Sequence, residues 1–293
     1  MAKTGKSAIG TFTFEPTPEH FGVIEKWPMV RDPFAGANDY SPLKLWLRWL
    51  KPAHREAHRR YREVRAKWIE GGDFQDYFAN VDRSISRTKW EYMKLRKSCY
   101  ITPLNWERYA GEDCRRILDL CCGDGDQTQR LIDFIAAEWK RTGKGHDLEI
   151  VGVDLSASRI NNAQKLVALS DPRIKVQFIV GNAVKGLPFP DGHFDYGFHT
   201  GVLEILDDDL TSALVRNFCK VVRKGIFVED LLDLYPGGYP REDLGPVFQP
   251  CGFVVTKRIV ALSEPFSLFR VPDPCRIWPI MLIQNIWVER IRD

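Results

Sequence analysis

The chain has 293 residues, 44% hydrophobic and 28% charged, a composition that builds a large core and excludes disordered, collagen-like and membrane-embedded classes. Its 42 Lys and Arg against 39 Asp and Glu leave a net charge of +3, too small by itself to imply a nucleic-acid or membrane partner. Seven cysteines include no Cys-x-x-Cys pair, so neither a disulfide framework nor a metal site is expected, and reduced thiols suit a cytoplasmic setting. No export signal is read at the N-terminus, and the apolar run from Ile277 to Val288 falls short of the ~20 residues a spanning helix needs.

Residues 1–42 hold Pro16, Pro18, Pro28, Pro33 and Pro42, which oppose helix formation and predict an extended N-terminal arm. Residues 43–110 read as a helical cap. Ala53, Ala57, Tyr61, Val64 and Trp68 recur at helical spacing before Gly71 and Gly72, and further helices are predicted over Phe74–Leu95 and Ile101–Tyr109. Between Lys44 and Lys67 nine basic residues face only Glu56 and Glu63. This basic amphipathic helix, with Trp46 and Trp49, reads first as a solvated lid; contact with anionic lipid at a membrane periphery or with RNA is the alternative.

From residue 111 to the end, apolar runs alternate with amphipathic helices, the pattern of an α/β parallel sheet covered on both faces. Strands are predicted at Arg116–Cys121, Glu149–Asp154, Lys175–Val180, Phe194–His199, Gly225–Glu229 and Gly252–Leu262, with a last one inside Ile280–Glu289 after Pro279. Helices are predicted at Gln127–Arg141, Ser156–Ser170 and Asp209–Val222, with Asp207-Asp208-Asp209 capping the last.

The first strand runs through Asp119, Cys121 and Cys122 into Gly123-Asp124-Gly125-Asp126, a tight turn opening a helix. Such glycines let the backbone approach a ligand. Asp154 ends the second strand, where a carboxylate can bind ribose hydroxyls, and Asn182 follows the third, where an amide can meet a base edge. Thr128 stands where a dinucleotide site would have its third glycine, and the turn carries acids and no lysine. A cationic nucleoside without phosphates fits this turn better than a pyrophosphate.

ILDLCCGDGD, VGVDLS, GNAVKGLPFPDGHFD and HTGVLEIL together resemble the ordered motifs of class I S-adenosylmethionine-dependent methyltransferases, particularly the ubiquinone and menaquinone biosynthesis branch. The resemblance covers about residues 115–290 and implies a Rossmann-like, seven-stranded, mostly parallel sheet whose last strand is antiparallel. It implies S-adenosyl-L-methionine as cofactor, with Asp119, Gly123 and Gly125 around its methionine part, Asp154 on the ribose, Asn182 and Ala183 on adenine, and Cys121, Leu155 and His199 completing the binding set. The sequence departs from the family at Cys121, in place of the leading glycine, at Asn182, in place of an acid, and at Ile205, in place of a histidine.

Methyl transfer requires alignment of acceptor and methyl carbon and removal of an acceptor proton. His199 is the first candidate base, followed by Glu204, Asp230 and Tyr235. The expected activity is methylation of a small-molecule acceptor, with no DNA partner. The alternatives are an RNA methyltransferase using the Lys44–Lys67 helix and a non-catalytic cofactor-binding module. Residues Asp76–Trp90 are the expected lid, with Tyr77, Phe78 and Arg83 as its candidate contacts.

Overall fold

The computed structural model describes residues 104–203, 206–232, 243–262 and 282–291, together with Ile85, Arg87, Trp90 and Glu91. The expected arm, the Lys44–Lys67 helix, Tyr77, Phe78 and Arg83 lie outside the described residues. The elements in chain order are α1 (Glu107–Ala110), β1 (Arg116–Leu120), α2 (Asp126–Thr142), β2 (Leu148–Asp154), α3 (Ala157–Leu166), β3 (Ile174–Val180), β4 (Phe194–Thr200), α4 (Asp208–Val221), β5 (Val222–Leu232), α5 (Gly245–Phe248), β6 (Phe253–Leu262) and β7 (Leu282–Arg290).

The seven strands form one sheet in the order β3-β2-β1-β4-β5-β7-β6. The first five are mutually parallel, and β7 enters antiparallel between β5 and β6, giving the mostly parallel sheet with a reversed last strand. The central strands are buried on both faces, which is why β1 and β2 read as nearly continuous apolar runs. One face packs Leu118, Leu120, Val151, Val153, Ile226 and Val228 against Leu214 and Phe218 of α4. The other packs Ile117, Ile150, Phe198, Phe227 and Trp287 against Trp106, Tyr109 of α1 and Leu131 and Ile135 of α2. Each large side chain so buried contributes roughly 1.5–3 kcal/mol before ordering costs.

Tertiary contacts move several predicted boundaries. Helix α3 stops at Leu166 rather than Ser170, because the Gln129 carboxamide of α2 accepts from the Ala168 N–H (2.7 Å) and donates to the Ala168 carbonyl (2.9 Å). That exchange holds the chain out of the helix. Strand β5 extends beyond Gly225–Glu229 in both directions, since Phe194 of β4 pairs with Val222 and β7 pairs along it through Leu232. Over the described part of the helix expected at Ile101–Tyr109, from residue 104 on, a turn with Asn105 at φ 54° leads into the single turn α1, and short α5 is an addition. Asp207 caps α4 by accepting from the Leu210 N–H (2.8 Å), as its sequence position predicts.

Below the sheet, buried Asp195 ties three strands together. Its carboxylate accepts from the N–H groups of Arg115 (2.7 Å) and Arg116 (3.0 Å), and from the Arg223 guanidinium (2.8 Å to Nε). Burial alone would raise its pKa, but these donors outweigh it and hold the carboxyl below the usual carboxylate range. Among the described residues no helix is long and apolar enough to cross a membrane.

Candidate active site

The carboxyl ends of β1, β2 and β4 meet at the glycine turn. Strand β1 ends at Leu120, one residue earlier than expected, because Cys121 enters the left-handed region at φ 60°; Gly123 (φ 57°) and Gly125 (φ 77°) follow in the same region. A Cβ on Gly125 would come within 2.6 Å of Val167 Cγ2 and 3.0 Å of Ala163 Cβ, so this glycine lets α3 pack on the turn. Among the described residues, a Cβ on Gly123 would meet nothing closer than Arg159 Nη1 at 3.5 Å. Among the described residues no side chain covers the backbone at Gly123, whereas Gly125 is occupied with packing.

Asp154, at the end of β2, binds its own protein on both oxygens. Oδ2 accepts from the Gly123 N–H (2.9 Å) and Oδ1 from the Ser156 N–H (2.8 Å) at the N-cap of α3. The carboxylate thus fixes the glycine turn against the start of α3 and keeps lone pairs for further donors. Asp119 is buried and accepts from the Thr128 hydroxyl of α2; Asp124 accepts from Asn162 of α3 (2.9 Å). Three carboxylates within one turn and its flanks give a surface that suits a cation.

Around the third strand end the structure reassigns one group. Asn182 Oδ1 accepts from the Val184 (3.1 Å) and Lys185 (3.2 Å) N–H groups, so its acceptor oxygen, expected to meet adenine, closes its own turn. The next residue, Ala183, is buried, and its carbonyl is held by Asn217 of α4 (2.8 Å). Leu155 follows Asp154 and is half-buried.

His199 lies on β4 between Leu120 of β1 and Val228 of β5. Its Nδ1 is 3.0 Å from the Leu120 carbonyl, which requires the Nδ1–H form and leaves Nε2 with a lone pair. Nε2 is buried with no hydrogen-bond partner, and burial pulls the pKa down to about 4. The ring is thus neutral at pH 7 and a weaker proton acceptor than the ordinary imidazole the sequence suggested. Asp230 is fully buried on the same face, two positions beyond Val228, and its Oδ2 accepts from Gln284 of β7 (3.5 Å). Glu204 and Tyr235 lie outside the described residues.

Trp90 is a neighbour of the turn that sequence reading did not single out. Its buried indole Nε1 donates to the Asp124 carbonyl (2.8 Å), while Arg87, stacked on the same ring, donates to the Leu166 carbonyl at the end of α3 (2.6 Å). Its position at the end of the expected lid was the available signal, but a tryptophan in an amphipathic stretch reads equally as core.

An open backbone at Gly123, buried acids at two adjacent strand ends and an acidic turn fit a nucleoside with a positively charged tail, as S-adenosylmethionine is. With the sheet order and reversed β7, they give a Rossmann-like, mostly parallel seven-stranded α/β sheet with the glycine turn at its carboxyl edge. Residues 117–225 match the family described as a methyltransferase domain. It is 29% identical over 154 residues to a demethylmenaquinone methyltransferase of Bacillus licheniformis, covering 53% of this chain and 58% of that one. It is also 29% identical over 119 residues to the O-methyltransferase rstn1 of Aspergillus nomiae, covering 41% and 47%. The chain therefore spans about half the length of these curated relatives. Among solved structures, the magnesium protoporphyrin IX methyltransferase of Synechocystis with bound SAH aligns with TM-score 0.44 at 13% identity, covering 78% of this chain and 98% of that one.

Proposed function

We propose that this protein is an S-adenosylmethionine-dependent methyltransferase acting on a small organic acceptor in the cytoplasm. The observation that carries the reading is Asp154, a buried carboxylate that joins the open Gly123 turn to the start of α3. When bound, the cofactor supplies an electrophilic methyl group on a sulfonium. The chain's own residues hold and align it: Asp154 and Leu155 beside the ribose, Asp119, Cys121, Gly123 and Gly125 around the charged tail, and the Asn182-Ala183 turn beside the base. His199 presents a neutral lone pair at the end of β4, with Asp230 on the same face; Glu204 and Tyr235 are the remaining candidates for proton removal. Residues 1–42 and 43–110 form an arm and a cap ahead of the domain at 111–293.

Relatives named for demethylmenaquinone methylation and for O-methylation support a small organic acceptor over a macromolecule. Among the described residues no cysteine is in a disulfide, as a reducing compartment would leave them. The test is incubation with methyl-labelled S-adenosylmethionine and source-cell extract. Label is expected in small molecules, and label in RNA or protein instead overturns the acceptor assignment. Asp154→Ala should weaken cofactor binding at least tenfold by calorimetry; unchanged affinity removes the site assignment.

A further inference from the structure

At the edge of the sheet opposite the glycine turn, two cysteines distant in sequence come together. Cys219 lies in the last turn of α4, and Cys251 ends a turn of 3-10 helix, Gln249–Cys251, that leads through Gly252 into β6. Arg290, the last residue of β7, fixes this meeting. Its Nη2 donates to the carbonyls of Cys219 (2.7 Å) and Val222 (2.8 Å), and its guanidinium lies over Phe253 (4.5 Å to the ring centroid). The next residue, Ile291, donates its N–H to the Gly252 carbonyl (2.8 Å). Cys219 belongs to the core on this face of the sheet, and Cys251 packs against it. The carboxyl edge, where the cofactor residues stand, is a strand length away, roughly 20 Å.

The two sulfurs meet: the Cys219 thiol donates to the Cys251 sulfur. Cys219 is 1% exposed and Cys251 is partly exposed, so a reagent from solvent reaches Cys251 first. The hydrogen bond from Cys219, aided by the positive charges of Arg216 and Arg290, brings the Cys251 thiol down to about 7. Burial pushes Cys219, Cys114 and Cys122 up instead. At pH 7 roughly half of Cys251 is thiolate, the form that reacts. Packing accounts for Cys219 as it does for Cys114, but a half-ionised, accessible sulfur set against a second sulfur is what a dithiol redox pair requires.

We propose that Cys219 and Cys251 form a reversible modification site, in which hydrogen peroxide oxidises Cys251 and Cys219 resolves the product into an intramolecular disulfide. The Cys251 thiolate attacks one peroxide oxygen; an S–O bond forms, the O–O bond breaks, and the departing hydroxide takes up a proton to leave as water. The Cys219 sulfur then attacks the sulfur of the Cys251 sulfenic acid. The S–S bond forms, the S–O bond breaks, and hydroxide leaves as water with the Cys219 proton. The two thiols have lost two electrons, and one peroxide has become two waters. Proximity makes up for the acidity that Cys219 lacks, since its sulfur already touches the one it attacks. The bond ties the end of α4 to the start of β6. Neither step uses a cofactor residue, so the site stands independently of the methyltransferase reading.

The test treats the reduced full chain with hydrogen peroxide at pH 7, blocks the remaining thiols with iodoacetamide and maps tryptic peptides by mass spectrometry. The peptide of residues 217–220 should be found joined to that of residues 242–257, and dithiothreitol should release both. In Cys219→Ala the resolving thiol is gone, and Cys251 should accumulate as a sulfenic acid that dimedone captures at about ten times the wild-type level. Cys219→Ser gives the same readout if the alanine variant does not fold. In Cys251→Ser, Cys219 should stay reduced. Cys251 joined to Cys99 or Cys275, Cys251 oxidised past the sulfenic acid while Cys219 stays reduced, or Cys251 left as a free thiol by peroxide overturns the site.

Discussion

Acidification should unfold this protein earlier than its carboxylates alone would, and His199 is the reason. The buried imidazole has a pKa of about 4 against the ordinary 6.5, so the folded state holds it neutral while the unfolded chain protonates it. Above pH 6.5 both states are neutral and the group has no effect on stability. Between pH 6.5 and 4 the unfolded state takes up a proton that the folded state refuses, and stability falls by about 3 kcal/mol. His199→Gln keeps a donor for the Leu120 carbonyl and has no proton to gain. Urea titrations from pH 8 to 4 should show the wild-type midpoint falling steeply through that window and the variant's curve flatter by about 3 kcal/mol. Equal pH slopes in the two proteins would refute the assignment of a buried neutral histidine. The same experiment bears on chemistry: with so low a pKa, His199 contributes no titration near pH 6.5 to the rate, and a pH–rate limb there belongs to another group.

The Asp195 clamp should fail at lower pH: its folded pKa is depressed, so its contribution is complete above about 3.9 and is lost only as pH falls through the lower folded value. Asp195→Ala removes the charged acceptor of the Arg115 and Arg116 N–H groups and of the Arg223 guanidinium and should cost about 3 kcal/mol in denaturant melts at pH 7; a loss below 1 kcal/mol would contradict the clamp. At Cys121, with φ at 60°, glycine would relieve roughly 1 kcal/mol of backbone strain while adding freedom to the unfolded chain. Cys121→Gly should therefore change stability by less than about 1 kcal/mol, and a large loss would show that the thiol's packing dominates.

Much of the fold was legible because a parallel sheet buried on both faces leaves unbroken apolar runs, and six of the predicted strands differ from the observed ones mainly at their ends. Those ends were set by partners distant in sequence. Gln129 cannot announce that it will take the Ala168 amide, and nothing within β5 says that β7 will pair along it to Leu232.

The candidate site divides in the same way. Glycines and acids at strand ends carry their meaning locally, since a strand, a tight turn and a helix already place them at one edge of a sheet. What each side chain does there depends on its neighbours: Asn182 spends its oxygen on its own turn, Asp154 bridges two segments, and His199 loses its basicity to burial. The sequence by itself determined the order of strands and helices and the glycine turn at the end of the first strand, because those follow from local periodicity and backbone freedom. Tertiary structure alone decided which polar groups are satisfied, which are buried and which face a ligand, because hydrogen-bond partners and dielectric surroundings come from strands and helices far apart in the chain.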